Sequence, residues 1–383
     1  MLKSGEVQTF TASIFGEGLH KKRLISLSRA VEGVLKSGDL GVTAIGYGLS
    51  AVHSLDKKHA AKQVDRLMSN PGLNIEELAP AWVSYVLGDK KEIVVNLDWS
   101  EFDECNQSIL VLGLQTGTGR STPLLWKTVI KSKMKGRRNL IEDTLLERFR
   151  GLVPESVRVT VVADRGFCDT ALYEHLVRLG FDYVIRFRSN ILVESVDGTA
   201  KKAKDWISKG GRGKALHGAK VTGKSFEVGT VVIARDAKMK SGWYLASSLK
   251  SGSVTELKRL YGKRFTIEET FRDIKDMRYG MSLSWTRVKR TDRRDRLFLL
   301  ATIAHAFLTL LGQAGETLGM DRMLKVNTSK RRQHSLFRQG LDLYGLLPTM
   351  KEHKLVPLLE RFGELLESSI LFGHIRALEF SLK

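Results

Sequence analysis

Cysteine and long apolar runs are scarce in this sequence. Its 383 residues include two cysteines, Cys105 and Cys168, which are too few for a disulfide framework or a zinc site and fit a reducing cytoplasm. The longest apolar run, at 297–311, has 15 residues and contains His305. It is short for a membrane span and is typical of a buried core helix. No N-terminal segment has the charged, apolar and small-residue order of a signal peptide, so we expect no membrane association.

Acidic residues are in the minority. The chain has 62 Lys and Arg against 42 Asp and Glu, which gives a net charge of +20 at pH 7 and a pI of about 9.9. This excess of positive charge is unfavourable without a polyanionic partner, and double-stranded DNA is the partner that we expect. An anionic membrane surface is the competing partner, but the lack of a signal-peptide pattern and the short apolar run argue against it. The expected location is the cytoplasm, in association with the nucleoid.

The first 90 residues have a helical pattern and are interpreted as a DNA-binding domain. Within them, two short helical patterns are joined by a loop, and the second carries four basic residues: Lys57, Lys58, Lys62 and Arg66. These side chains either enter a major groove of DNA, as in a helix-turn-helix, or form the solvated face of a helical bundle. The sequence has no sharp turn signature that would decide between the two.

Strand and helix patterns alternate in the middle of the chain. Apolar, β-branched runs predict three antiparallel strands, at 92–100, 108–117 and 122–130. The patterns then predict a helix, a strand, a helix and a strand over 139–189, an order typical of a ribonuclease-H-like fold. We therefore predict an α/β fold with a ribonuclease-H-like catalytic core at 91–189 and 249–290, a β-rich insertion at 190–248, and flanking helical regions at 1–90 and 291–383.

Two aspartates each follow an apolar strand pattern. Asp98 comes after IVVNL, and Asp164 comes after VTVVA. Functional groups gather at strand ends in open α/β sheets, where the loops diverge, and a buried carboxylate without a partner is unfavourable. A helix N-cap or a turn acid would explain either aspartate alone. Two of them, on strands that this fold places side by side, favour a shared site.

Four polar residues recur at helical spacing in YGKRFTIEETFRDIK. Tyr261, Arg264, Glu268 and Lys275 lie at offsets of 0, 3, 7 and 14, so on one helix they project within an arc about 60° wide. A carboxylate beside cations and a phenol suits a metal ion next to a phosphodiester, because the acid binds the metal while the other groups hold phosphate oxygens. The alternative is a solvated helix stripe with ordinary ion pairs.

Asp98, Asp164 and Glu268 together form a set of hard oxygen ligands. Such a set suits Mg²⁺ or Mn²⁺. Two ions about 4 Å apart would activate a water or a 3′-hydroxyl and stabilise the leaving oxygen in an in-line displacement. The sequence therefore predicts a two-metal phosphoryl-transfer site.

Three charged residues near these motifs are candidates for supporting roles. Glu269 is the rival for the third ligand, but on one helix it projects about 100° away from Glu268 and is interpreted as a surface or supporting acid. Arg272 shares the face of Glu268 and is a candidate phosphate contact. Arg165, next to Asp164, is either another phosphate contact or part of a turn-stabilising ion pair.

Three motifs resemble those of a known family. DWS at 98–100, ADRGF at 163–167 and Y-x2-R-x3-E-x6-K at 261–275 are similar to the three signatures of bacterial insertion-sequence transposases with a DDE triad. The group is the IS-four family, and the run YGKRFTIEETFRDIKDMRYG resembles its Tn-ten branch. The likeness extends from the N-terminal helices to about residue 340.

The resemblance implies a role for each motif residue. The metal ligands would be Asp98, Asp164 and Glu268, and the transposon-end phosphates would be held by Tyr261, Arg264 and Lys275. It also implies a homodimer, because these enzymes act in a paired-end complex. The implied reaction is cleavage at the element's ends and joining of the 3′ ends to target DNA. A nuclease that does not join, and a catalytically silent DNA-binding regulator, are the alternatives.

The segment between the second aspartate and the glutamate is longer than a ribonuclease-H core needs. Strand patterns at 226–236 and 243–249 flank a basic stretch at 198–224, which has eight Lys or Arg against one Asp and suggests a basic hairpin over DNA. Related transposases carry a β insertion here, with a tryptophan that stacks on a flipped base during hairpin formation. Trp243 matches that position by resemblance. The alternative is a tryptophan packed at a strand end.

Overall fold

The structure is a computed structural model that describes residues 4–207, 213–235 and 241–381. The helices are α1 (Ser4–Phe15), α2 (Lys21–Ser37), α3 (Val42–His53), α4 (Lys57–Ser69), α5 (Ile75–Leu87), α6 (Arg138–Leu152), α7 (Thr170–Arg178), α8 (Val254–Gly262), α9 (Phe265–Lys275), α10 (Thr291–Thr317), α11 (Leu336–Leu346) and α12 (Glu352–Ser381). The strands are β1 (Glu92–Phe102), β2 (Gln107–Gln115), β3 (Ser121–Ile130), β4 (Arg158–Ala163), β5 (Asp182–Arg186), β6 (Leu192–Glu194), β7 (Ala200–Lys202), β8 (Lys214–His217), β9 (Lys220–Val221), β10 (Phe226–Glu227), β11 (Thr230–Ala234) and β12 (Trp243–Ser247).

A mixed sheet forms the centre of the molecule. Its strand order is β3-β2-β1-β4-β5-β12-β11-β8. β1, β2 and β3 pair antiparallel, whereas β1–β4 and β4–β5 pair parallel through the crossover helices α6 and α7. The first five strands are rich in buried Val, Ile and Leu because helices cover both faces of the sheet. The predicted order of strands and helices, and the mixed α/β class of a ribonuclease-H-like core, are confirmed.

The segment 190–248 contains more strands than its sequence pattern shows. β10, β11 and β12 lie in the two predicted strand runs, while β6, β7, β8 and β9 are too short to give a clear pattern. β12, β11 and β8 continue the central sheet, and the others form a separate small sheet in the order β10-β9-β6-β7. Part of the predicted basic hairpin, at 208–212, lies outside the described residues.

The helices from both ends of the chain form one layer on one face of the sheet. Their buried apolar residues form a single core with part of the sheet and with α9. Phe307 of α10 joins the two ends, because its ring packs on Phe10 of α1 at 6.0 Å and on Phe362 of α12 at 4.8 Å. The predicted helical regions at 1–90 and 291–383 therefore share a core, while α6 and α7 cover the opposite face.

The longest apolar run lies inside the protein. It belongs to α10, which is long and apolar enough to cross a membrane, but 78% of its apolar window is buried within the fold. This burial is typical of the core helix of a soluble protein, and the predicted core helix is confirmed.

The segment 261–275 is not one continuous helix, and the sequence prediction was wrong on this point. α8 ends at Gly262 and α9 begins at Phe265. Between them, the backbone N–H groups of Arg264, Thr266 and Ile267 each donate to the carbonyl three residues earlier, which tightens the turn and breaks the regular helical ladder. A glycine at 262 favours the break because glycine disfavours helix interiors.

The close contact of α10 with α11 depends on two glycines. A Cβ added to Gly312 would fall on the carbonyl of Leu336, and one added to Gly340 would fall on the carbonyl of Leu308. Both obstacles are backbone atoms, which cannot move aside without separating the helices. Gly345, also on α11, has open space around it.

We predict that Gly340→Ala destabilises the fold by about 1 to 3 kcal/mol or more, because the added methyl overpacks the helix contact. The matched variant Gly345→Ala is expected to be neutral or up to about 1 kcal/mol more stable, since alanine favours a helix. Urea unfolding of both variants measures the difference. Equal stability would contradict the close helix contact.

Candidate active site

The parallel pairing of β1 with β4 brings the two aspartates together. The last paired residues are Leu97 and Ala163, and the next residue on each strand is Asp98 or Asp164. β4 ends there, but β1 continues to Phe102 and keeps its pairing with β2. Asp98 therefore lies where the pairing of β1 with β4 ends. The sequence pattern had predicted that it lies at the end of its strand, which is wrong because β1 continues to Phe102.

Helix α9 lies across the face of β1 to which the Asp98 side chain points. Alternate residues of a strand point to the same side, and three alternate polar residues of β1 each bind this segment. The Asn96 amide donates to Thr266 Oγ1 at 3.1 Å, Arg264 Nη1 donates to Asp98 Oδ2 at 3.4 Å, and Lys275 Nζ donates to Ser100 Oγ at 2.9 Å. This polar ladder fixes the helix that carries Glu268 over the strand that carries Asp98.

Arg264 bridges two of the predicted ligands. Its Nη2 donates to Glu268 Oε1 at 2.5 Å, while its Nη1 reaches Asp98. The arginine side chain is only 7% exposed, whereas Glu268 is 49% exposed. The guanidinium therefore neutralises both carboxylates from a buried position.

The surroundings of Asp98 destabilise its ionised form. Burial raises its pKa to about 7, with further upward contributions from the Asp164 and Glu268 charges, and Arg264 offsets only part of this effect. Asp98 is thus close enough to both Asp164 and Glu268 to interact with their charges.

Asp164 caps the turn that follows β4. Its Oδ1 accepts a hydrogen bond from Gly166 N at 2.7 Å. The turn-acid interpretation is correct for this contact. A carboxylate has about four acceptor positions, so the same side chain retains positions for another ligand.

The three carboxylates fit a divalent cation chemically, although Arg264 lies between two of them. Across the described residues, no group of three or more His, Cys, Asp or Glu side chains is gathered closely enough to hold a metal ion as it stands. The buried Asp98 nevertheless needs a positive partner, and its neighbours supply hard oxygen atoms. A cation that bound both Asp98 and Glu268 would take over the neutralising role of Arg264.

The other residues of the spaced motif are more buried than the sequence suggested. The Tyr261 ring is 1% exposed, and burial raises the pKa of its hydroxyl, which faces Arg264 and Arg186. Trp243, partly buried at the start of β12, packs edge-on against Tyr261 at 4.9 Å. Lys275 also donates to the carbonyl of Glu101 at 2.7 Å.

Burial also makes the Lys275 ammonium easier to deprotonate. It lowers the pKa of this ammonium to about 8, with an added contribution from the nearby Arg294 charge. The side chain lies over the Phe102 ring at 4.6 Å. In this arrangement Lys275 ties α9 to β1 instead of projecting into solvent.

The remaining candidates lie at the surface of the site. Arg272 Nη1 donates to Glu269 Oε2 at 2.9 Å, and Glu269 also lies 3.7 Å from Arg120. Glu269 is therefore paired with arginines away from Asp98, in keeping with a supporting acid. Arg165 is exposed, and the described part of the chain shows no ion pair for it.

The sequence interpretation missed several polar residues that support the site. Asn96 lies two residues before Asp98 and binds both Ser121 and Thr266, and its position in an apolar strand pattern was a usable signal. Glu142 and Arg138 were also missed. They reach Trp99 and the turn at Asp164 only through the crossover of α6, which sequence spacing does not reveal.

The basic residues of α4 lie on its exposed face. They are Lys57, Lys58, Lys62 and Arg66, while the opposite face of α4 packs into the helical core. Both a groove-binding helix and a solvated bundle face would leave these side chains exposed. Their role in DNA binding therefore stays a prediction.

We predict that Asp98→Asn is more stable than wild type above pH 7 without metal, by a free energy on the order of 1 to 3 kcal/mol. Because the folded pKa is raised from 3.8 to about 7, the folded chain holds the proton more tightly, and wild-type stability falls as pH rises through this window. The difference should vanish near pH 4. Thermal or urea unfolding against pH measures it.

The control for this prediction is Asp103→Asn. Asp103 is exposed, and Lys131 lowers its pKa, so neutralising it should not stabilise the fold. If the Asp98→Asn variant were no more stable than wild type above pH 7, that result would contradict the raised pKa of Asp98.

Comparison with known proteins identifies a family for this chain. No curated protein gives a significant match to the chain. The family model of the transposase DDE domain matches residues 103–307, which is more than half of the chain. The matched region includes Asp164 and Glu268 and begins five residues after Asp98. The chain therefore belongs to the transposase DDE domain family.

Proposed function

We propose that the protein is a DNA transposase of the IS-four family, in its Tn-ten-like branch. It cleaves DNA at the ends of its element and joins the freed 3′ ends to target DNA by a cut-and-paste route with a hairpin intermediate. A transposase DDE domain implies a metal-dependent enzyme that cleaves DNA. The observation that carries the proposal for this chain is the electrostatic coupling of Asp98 to Asp164 and Glu268 around Arg264.

Asp98, Asp164 and Glu268 would hold two metal ions, Mg²⁺ or Mn²⁺. A metal held there would supply a Lewis acid for activating a water or a 3′-hydroxyl and for stabilising the leaving oxygen of the phosphodiester. Its binding would require Asp98 to lose its proton and Arg264 to release Glu268. The released guanidinium would then be free to bind a phosphate oxygen, for which its planar fork is well suited.

The remaining motif residues would act around this centre. Lys275 holds α9 against β1 and supplies positive charge near the DNA strand. The Tyr261 ring packs against the Arg264 guanidinium and supports it. Arg272 and Arg165, at the surface of the site, would contact backbone phosphates. Trp243 would stack on a flipped base if it left its packing on Tyr261, since aromatic stacking recognises any base.

The wider surface suits a DNA partner. The net charge of +20 and the exposed basic face of α4 favour contact with the phosphate backbone, and such contacts weaken as salt concentration rises. We propose that residues 1–90 bind the transposon ends, that 91–189 and 249–290 form the catalytic core, that 190–248 cover the DNA, and that 291–383 support assembly. Pairing of two ends would require a homodimer, acting in the cytoplasm at the nucleoid.

Strand cleavage and joining of a labelled DNA that carries the sequence flanking the gene tests this proposal. We expect nicks, hairpins and joined products with Mg²⁺, and none with EDTA. Glu268→Gln should abolish all three while DNA binding persists, because it removes a metal ligand only. The matched variant Glu269→Gln should retain activity.

Each other result selects an alternative. Cleavage without joining would identify a nuclease, and DNA binding without metal-dependent chemistry would identify a silent regulator. Loss of activity in Glu269→Gln with full activity in Glu268→Gln would reverse the ligand assignment.

We predict that Mn²⁺ affinity, measured by titration calorimetry, weakens about tenfold for each pH unit below about 7. The reason is that the pKa of Asp98 is about 7 and its proton must leave before the carboxylate can bind a metal. Glu268→Gln should weaken binding at every pH, whereas Glu269→Gln should not. An affinity that does not change between pH 5 and 7 would contradict the role of Asp98.

A further inference from the structure

A second arginine lies beside the turn that begins at Asp164 and against Trp99, the residue after Asp98. Arg138, the first residue of α6, places its guanidinium 5.7 Å from the Trp99 ring centre and 5.4 Å from the Phe167 ring centre. Trp99 directly follows Asp98, and Phe167 belongs to the turn that begins at Asp164. Arg138 therefore contacts a residue of β1 next to Asp98 and a residue of the turn that follows β4.

A buried glutamate fixes the orientation of this guanidinium. Glu142 Oε1 accepts one hydrogen bond from Arg138 Nε at 2.8 Å and another from Trp99 Nε1 at 2.7 Å. The glutamate side chain is 5% exposed, whereas that of Arg138 is 44% exposed. Glu142 thus holds the inner edge of the guanidinium, and the outer edge faces solvent.

The terminal nitrogens of Arg138 face the Asp164 turn. A Cβ placed on Gly166 would stand 3.5 Å from Arg138 Nη2 and 2.9 Å from Asp164 Oδ1. The glycine leaves this space open between the cation and the acid. In the described part of the chain, neither Nη1 nor Nη2 of Arg138 makes a hydrogen bond.

We propose that Arg138 binds a phosphate of the DNA strand that passes Asp98 and Asp164. This inference rests on the proposed function. An arginine offers two parallel donors that match phosphate oxygens, and stacking on two rings with Nε already bonded reduces the side-chain entropy lost on binding. Its position next to Asp164 places the bound phosphate at the candidate metal site.

The competing role for Arg138 is purely structural. A buried carboxylate is costly without a cation, so Arg138 also stabilises Glu142, and a single Arg138 variant would confound the two roles. Glu142→Gln removes the buried charge and keeps an acceptor for Trp99. The double variant Arg138→Gln/Glu142→Gln therefore isolates the contribution of Arg138 to DNA binding.

The measurement is the affinity for a labelled duplex from the DNA flanking the gene, in EDTA, over a range of salt concentrations. We expect the double variant to unfold at the same temperature as Glu142→Gln. We expect it to bind DNA at least about tenfold more weakly than Glu142→Gln does. The slope of log affinity against log salt should fall by about 0.9, the value for one lost phosphate contact. Arg138→Lys, which keeps the charge, should keep most of the slope.

Arg150→Gln is the matched control. Arg150 lies near the other end of α6, over the Phe181 ring at 5.4 Å. This variant removes the same charge at a position away from the aspartates. It should bind DNA as wild type does. Unchanged affinity and slope in the double variant would overturn the inference, as would an equal loss in Arg150→Gln. Absence of salt-dependent DNA binding by wild type would instead overturn the proposed function.

Discussion

The bridge from Arg264 to Asp98 and Glu268 is the interaction on which the candidate site depends. Three carboxylates that share a partly buried space repel one another, and burial adds a further cost. Arg264, itself 7% exposed, offsets this cost with contacts to two of the acids. The site is thus held together by a protein cation in a place where a metal ion would serve the same electrostatic purpose.

The surrounding structure fixes the position of this bridge. At its N-terminal end, α9 is held to β1 and β3 by Asn96, Ser121 and Thr266. Further along, Asp273 accepts a hydrogen bond from Arg120 Nε at 2.6 Å and lies 3.2 Å from His305 on α10. Helix α9 is therefore attached to both the sheet and the helical layer, so its position depends on the whole fold.

Much of this arrangement could be predicted from sequence because it follows from local periodicity. Apolar runs predicted the strands of the core, and the fold's known pairing of those strands placed Asp98 next to Asp164. The break between α8 and α9 does not show in the spacing of Tyr261 and Arg264, since both residues suit a helix, although Gly262 between them was a usable local signal. The burial of Lys275 and the stacking of Arg138 depend on distant segments, and no local pattern encodes them.

The fate of Arg264 when metal binds tests the account most directly. The measurement is a crystal structure of the protein grown with Mn²⁺, with the ion located by its anomalous scattering. We expect a manganese peak in contact with Asp98, Asp164 and Glu268, with the Arg264 guanidinium released from Glu268. A manganese peak elsewhere, with the Arg264 bridge unchanged at saturating Mn²⁺, would contradict it.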